Sequence, residues 1–292
     1  MPTERLLYAS TTDGLRHAGL VIRPDGEPRS LAVLWIHGFT GRFHEPHAIA
    51  IGRALAGRGY TFVAGDNRGR DLGAIRYPDA DHPAPTLIGA GWELWDESPH
   101  DVDAWVTLIA GLGFARVILL GHSFGALKAV YYQAQRQDPR VAGLVAASGP
   151  ANAWQLDTAL LAEAERMVAA GRGRDLLPWD ALWSVFPISA QTYLSYRRAD
   201  LDIFGVARAD PPLGRIRCPL FAFYGTDEQW VGGSQDLALI RRNASAAASV
   251  QTCMFEGADH VYTGQELPVA SAVADWLDAL KAPADDAAGG PV

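Results

Sequence analysis

The chain has 292 residues, with 25 Lys and Arg against 33 Asp and Glu, a formal net charge of −8, 49% hydrophobic residues and 20% charged ones. That balance excludes a broad basic nucleic-acid surface and excludes disorder over most of the length, while leaving enough apolar material for one large core. No unbroken apolar run of about 18 residues occurs, so no membrane-spanning helix is expected. The opening Met1-Pro2-Thr3-Glu4-Arg5 lacks the basic and then apolar regions of a secretory signal. Cys218 and Cys253 stand in apolar, strand-like runs and read as buried thiols, not a disulfide framework, which makes a cytoplasmic location the expectation.

In chain order, residues 5–12 and 15–23 read as two short strands joined at Asp13-Gly14, a hairpin signal. Leu31-Ala32-Val33-Leu34-Trp35-Ile36 is a continuous apolar run, as strands buried on both faces of a parallel sheet are. Alternation follows: helix 47–58 closing at Gly57 and Gly59, strand 60–65, and helix 98–112 with Ser98 as N-cap and Pro99 in the first turn. In that last helix Val102, Trp105, Val106, Ile109 and Leu112 keep the helical period. Strand 116–120, helix 124–136 and strand 141–147 complete the first half. The pattern breaks at Gly149-Pro150. Residues 151–212 carry helical stretches near 155–170 and 188–198 and seven aromatics, among them Trp154, Trp179, Trp183 and Phe186, the last three at helix-like spacing. Alternation resumes with strand 219–224, helix 234–243, strand 249–255 and helix 267–280, and residues 282–292 have the composition of a disordered tail.

Alternating strands and helices predict an α/β fold, a mostly parallel sheet with helices on both faces. The units expected are a core over 1–150 and 213–281, interrupted by a helical lid at 151–212 over the carboxyl ends of the strands, where open sheets of this kind bind ligands.

The strongest chemical signal is Gly121-His122-Ser123-Phe124-Gly125, between an apolar strand and a helix. This is the setting of a nucleophile elbow: a serine on a strained turn, flanked by glycines because side chains there would clash, with a helix N-terminus beneath it. Ser123 needs a base, and His260 stands in a loop after the last strand, at the same sheet edge. His122 reads as structural, and His17, His82 and His100 as solvated. An acid must orient the base. Asp227, at the end of the 219–224 strand, is the leading candidate, with Glu228 its nearest competitor and Glu256 and Asp259 behind. His44-Glu45-Pro46-His47 has the wrong spacing for a helical zinc motif and reads as a loop, so no metal and no cofactor is expected. The long 67–97 connection, with Trp92, Glu93, Trp95 and Glu97, is either a wall of the substrate pocket or a packed Ω-loop. Lys128, amid apolar residues of its helix, is either on a solvated face or paired with Glu93 or Glu97.

His37-Gly38-Phe39, Asp66-Asn67-Arg68-Gly69, the 121–125 turn, Cys218-Pro219 and Gly257-Ala258-Asp259-His260 together resemble the α/β-hydrolase superfamily, in its serine esterase and lipase-like branch. The resemblance covers residues 31–280. It implies oxyanion donors at the backbone N–H of Phe39 and Phe124, and an acyl-serine mechanism on Ser123, Asp227 and His260 in that chain order. Ser123 excludes the aspartate-nucleophile chemistry of the dehalogenases and epoxide hydrolases of this fold. The expected substrate is a small, largely hydrophobic ester, lactone or thioester, with Trp92, Trp154, Trp183 and Phe186 as candidate pocket residues. An acyltransferase or lyase on the same triad, or a small-molecule receptor with residual hydrolysis, are the alternatives.

Overall fold

The unbroken apolar runs become the middle of one sheet. The computed structural model describes residues 2–77 and 83–280, and the expectations for His82 and for the tail at 282–292 lie outside them. Ten strands and seven α-helices follow one another as β1 (Thr3–Ser10), β2 (Arg16–Arg23), β3 (Leu31–Ile36), α1 (Pro46–Gly57), β4 (Thr61–Gly65), β5 (Ala74–Arg76), β6 (Thr86–Ile88), α2 (Ser98–Gly111), β7 (Arg116–His122), α3 (Phe124–Arg136), β8 (Val141–Ala147), α4 (Thr158–Ala169), α5 (Ala190–Ala199), β9 (Leu220–Gly225), α6 (Ser234–Asn243), β10 (Val250–Phe255) and α7 (Glu266–Ala279). The main sheet has eight strands in the order β1-β2-β4-β3-β7-β8-β9-β10. It is parallel from β4 to β10, and β2 runs antiparallel to both of its neighbours, β1 and β4. This is the α/β-hydrolase fold. Among the described residues no helix is long and apolar enough to cross a membrane.

Successive β3 residues serve opposite faces, as the pleat requires. Ala32, Leu34 and Ile36 enter the core beneath α2 and α3, whereas Leu31, Val33 and Trp35 enter the core beneath α1 and α7. From β3 the chain turns to β4 on one side and later to β7 on the other. The carboxyl ends of β3 and β7 therefore flank the switch point, where α/β sheets open a crevice.

Residues 148–219 lie between β8 and β9 and carry α4 and α5, which pack on each other. Tyr193, Tyr196 and Phe204 are buried in the α2–α3 core, so this segment is joined to the sheet by apolar contact. The helix expected from the spacing of Trp179, Trp183 and Phe186 does not form. Those residues lie in turns, Leu182 pairs with Phe186 across a tight reversal, and Trp183 and Ser184 have φ of 51° and 58°. Pro178 and Pro187 bracket the stretch and oppose helix on both sides.

The 67–97 connection folds back on itself as the antiparallel pair β5–β6, which the sequence reading missed. Glu97, not Ser98, is the N-cap of α2. His17, expected in solvent, is buried, and its Nε2 lies 2.9 Å from Asp101 Oδ1. Asp101 also receives the Arg68 guanidinium at 3.0 Å, so an imidazole and a guanidinium share one buried carboxylate.

Candidate active site

Two glycines make the turn at the end of β7. A Cβ on Gly121 would lie 2.3 Å from the Gly125 carbonyl oxygen, and one on Gly125 would lie 2.1 Å from that of Ile36. The turn between them puts Ser123 at φ 55°, ψ −126°, a conformation L-residues rarely adopt. Its Oγ is 3.0 Å from His260 Nε2.

His260 Nδ1 is 2.7 Å from a carboxylate oxygen, Oε2 of Glu228. The expectation of Asp227 is corrected here. The ladder of β9 ends at Gly225, and the chain turns so that Asp227 faces solvent while Glu228 is fully buried. The Asp227 N–H donates to the Ala258 carbonyl at 3.0 Å, fixing the turn, and among the described residues its carboxylate meets its neighbour Thr226, at 3.4 Å. The Glu228 Oε1 is held from behind by the Gly225 N–H and by the Ser148 hydroxyl at 2.5 Å. Since Ser148 spends its one proton on Glu228, Tyr262 OH must donate to Ser148 Oγ, at 2.6 Å. Ser148 and Tyr262 escaped the sequence reading. Each is an ordinary residue whose importance comes only from contacts 80 and 114 positions away.

The His37-Gly38-Phe39 loop closes over the elbow. A Cβ on Gly38 would lie 2.8 Å from Ser123 Cβ. The Asn67 N–H donates to His37 Nε2 at 3.0 Å, so the proton of this neutral ring is on Nδ1, which donates to the Gly38 carbonyl at 2.9 Å. The Gly41 N–H donates to the same carbonyl at 3.2 Å. The Gly38 C=O and Phe39 N–H belong to one planar trans peptide and point oppositely, so anchoring the oxygen sets the direction of the amide hydrogen. The Phe124 N–H, in the first turn of α3, is one of the donors a helix leaves without an internal acceptor.

His122 is structural, as expected: its Nε2–H donates to the His260 carbonyl at 2.7 Å, and its ring stacks on Trp35 with centroids 5.4 Å apart. Lys128 is not on a solvated face. It is buried, with Nζ 2.6 Å from Glu93 Oε2 and 3.1 Å from Asn67 Oδ1, while Tyr196 OH donates to Glu93 Oε1 at 3.2 Å. Gly69 leaves room for this pair, since a Cβ there would lie 2.5 Å from Glu93 Oε2. The 67–97 segment, α3 and α5 thus meet on one buried ion pair, with Asn67 and the Tyr196 hydroxyl satisfying its remaining hydrogen bonds.

Of the candidate pocket residues, Trp183 and Phe186 come to the site and the other two do not. Trp183 lies edge-on to Phe39 and Phe124, with centroids 5.2 and 5.7 Å away, and Phe186 is 5.0 Å from Phe39. Trp154 packs against the α2–α3 core. Trp92 donates from Nε1 to the Arg174 carbonyl at 2.9 Å and lines a separate cavity of about 300 Å³, with Arg68, Arg76 and Glu97 but neither Ser123 nor His260.

Burial keeps three nearby histidines neutral. His37 is pushed down to about 3, His47 to about 4, and His122 well below its usual value, with His260 adding to the last two. Burial pushes Glu45 up to about 7. As pH falls below about 6.5, the unfolded chain protonates these histidines and the native one does not, so the stability each contributes is full above that pH and is lost as pH falls toward the native values. Glu45 acts oppositely between its usual value and about 7, because there the native state holds the extra proton. Three groups outweigh one. Urea unfolding should show stability falling by about 1–3 kcal/mol per pH unit between pH 6.5 and 5, and a flat profile would mean that these imidazoles are hydrated.

Residues 33–276 match a family model described as the alpha/beta hydrolase family. Among solved structures the chain is similar to Est1E from Butyrivibrio proteoclasticus with ferulic acid bound, at 17% identity and a TM-score of 0.65 over 94% of this chain and 98% of that one. It is also similar to the Pyrococcus furiosus esterase Pf2001, at 18% identity and a TM-score of 0.61 over 96% and 94%. A thermostable carboxyl esterase from Bacillus coagulans gives 15% and 0.70 over 95% and 99%. No curated protein sequence matches. At such identities the structural likeness speaks for the fold alone, whereas the family model runs from within β3 to within α7, and by that match the chain belongs to the alpha/beta hydrolase family.

Proposed function

We propose that the protein hydrolyses a carboxylic ester, lactone or thioester through an acyl-serine intermediate on Ser123. The observation that carries this reading is the continuous chain from Ser123 Oγ through His260 to Glu228, at 3.0 and 2.7 Å. Ser123 Oγ bonds to the substrate carbonyl carbon, its proton passes to His260 Nε2, and the carbonyl π pair moves onto oxygen. The N–H groups of Phe39 and Phe124 stabilise that oxyanion. When the intermediate collapses, the bond to the leaving oxygen, or to the leaving sulfur of a thioester, breaks and His260 returns its proton to that atom. Water then adds to the acyl-enzyme with His260 as base, and Ser123 leaves protonated. Glu228 stays ionised, holding the His260 proton on Nδ1 and stabilising the imidazolium.

The 151–212 segment acts as the lid of this site. Trp183 and Phe186 from it, with Phe39 and Phe124, form an apolar wall beside the oxyanion donors, which suits a hydrophobic acyl group. Ferulic acid on Est1E, an aromatic acid on a protein of this fold, agrees with that preference. The test is rapid mixing with p-nitrophenyl acetate: a burst of nitrophenol stoichiometric with enzyme, and an acetyl mass increment on the peptide containing Ser123, are expected. No burst and no adduct would sink the reading, and turnover only with an added alcohol or amine would make the protein an acyltransferase.

A further inference from the structure

We infer that Trp230 is the contact for the alcohol half of the ester, and that this half is an aromatic alcohol. The inference rests on the acyl-serine reading above and deepens it.

Trp230 is 72% exposed, yet its backbone is pinned. Glu228 and Val231 on either side are buried, the Val231 N–H donates to the Glu228 carbonyl at 2.8 Å, and a Cβ on Gly232 would lie 2.5 Å from the Tyr224 ring. A tight turn therefore holds a large apolar side chain out in water. Its ring lies over the catalytic base, with the indole and His260 centroids 5.0 Å apart and the planes inclined by 56°. Among the described residues, His260 is the one ring in contact with it. An aromatic ring carried on a pinned turn beside reactive groups, with most of its surface open, is the kind of lining ligand sites use.

The chemistry decides which half of the ester meets this ring. The tetrahedral carbon carries four groups: the Ser123 oxygen, the oxyanion, the acyl carbon and the leaving oxygen. The oxyanion faces the Phe39 and Phe124 amides. The leaving oxygen must face His260 Nε2, because its proton comes from there. Among the described residues two rings lie against the imidazole, His122 at 4.9 Å and Trp230 at 5.0 Å; His122 is buried, so Trp230 is the one open to an alcohol arriving from solvent. The rings of Phe39, Phe124, Trp183 and Phe186 touch one another and not Trp230, so the acyl and alcohol sides have separate walls.

Methyl acetate and benzyl acetate pass through the same acetyl-enzyme and differ only in alcohol. In Trp230→Ala, kcat/KM for benzyl acetate should fall by about 10–200-fold and that for methyl acetate by less than about threefold. Deacylation of the acetyl-enzyme, after the alcohol has gone, should slow by less than about threefold, and Trp230→Phe should recover most of the benzyl preference. Equal losses on the two esters, or deacylation slowing in step with acylation, would make Trp230 a prop for His260 and overturn the inference. Failure of the underlying reading looks different: the wild-type enzyme would then form no acetyl adduct on Ser123.

Discussion

Replacing Ser123 by alanine should lower kcat for ester hydrolysis by about 10⁴ or more while leaving the fold intact. Only the binding and oxyanion contributions survive loss of the nucleophile, and a water molecule cannot inherit the position of Oγ relative to the Phe39 and Phe124 amides. The fold should survive because glycines 121 and 125 make the turn and the serine hydroxyl does not. Their close approaches to the Gly125 and Ile36 carbonyl oxygens fix the path of the chain. Ser123 itself sits at φ 55°, a conformation that costs about 1–3 kcal/mol for a residue with a Cβ. Alanine keeps that strain and glycine relieves it. Ser123→Gly is therefore expected to be as inactive as Ser123→Ala and at least as stable, measured by the urea midpoint. A Ser123→Ala protein retaining a tenth of wild-type turnover would remove Ser123 from the mechanism.

The parts of this molecule legible in the sequence are those where one local pattern has one physical meaning. Six apolar residues in a row before His37-Gly38 can be buried on both faces only in the middle of a sheet, and β3 lies there between β4 and β7. Gly121 to Gly125 between strand and helix leaves little choice of backbone. The parts that escaped depend on partners far along the chain. The choice between the two readings of Lys128, a solvated face or a pair with Glu93 or Glu97, is made only when Glu93, 35 residues earlier, is folded against it. His17 looks exposed until Asp101 arrives from 84 residues away. The three-residue strands β5 and β6 are too short to show alternation, and Trp179, Trp183 and Phe186 show a helical spacing that Pro178 and Pro187 overrule.

Asp227 and Glu228 show the same limit at the scale of one residue. Both stand just past β9, both carry a carboxylate, and the sequence does not say where the ladder stops. The structure ends it at Gly225, and the turn then sends the odd residue out and the even one in. The extra methylene of glutamate spans the added step, so that Oε2 reaches His260 while Oε1 takes the Gly225 N–H and the Ser148 hydroxyl. Glu228→Gln keeps the shape and loses the charge. An amide in that place can present its NH2 to Nδ1, which favours the tautomer with the proton on Nε2, where it blocks abstraction from Ser123. The expected loss in kcat is about 10⁴. Asp227→Asn leaves the exposed turn and its backbone bond to Ala258 unchanged, so its kcat should stay within about threefold of wild type. A smaller effect belongs to Ser148→Ala, which strips one donor from a buried carboxylate and should cost about 1–3 kcal/mol of folding stability, read from the urea midpoint. The two acid variants should be compared on one ester at saturating concentration, with circular dichroism to check the fold. If Asp227→Asn is the more damaging of the pair, the catalytic turn in solution is wound one residue differently, and Glu228 is only a buried structural carboxylate.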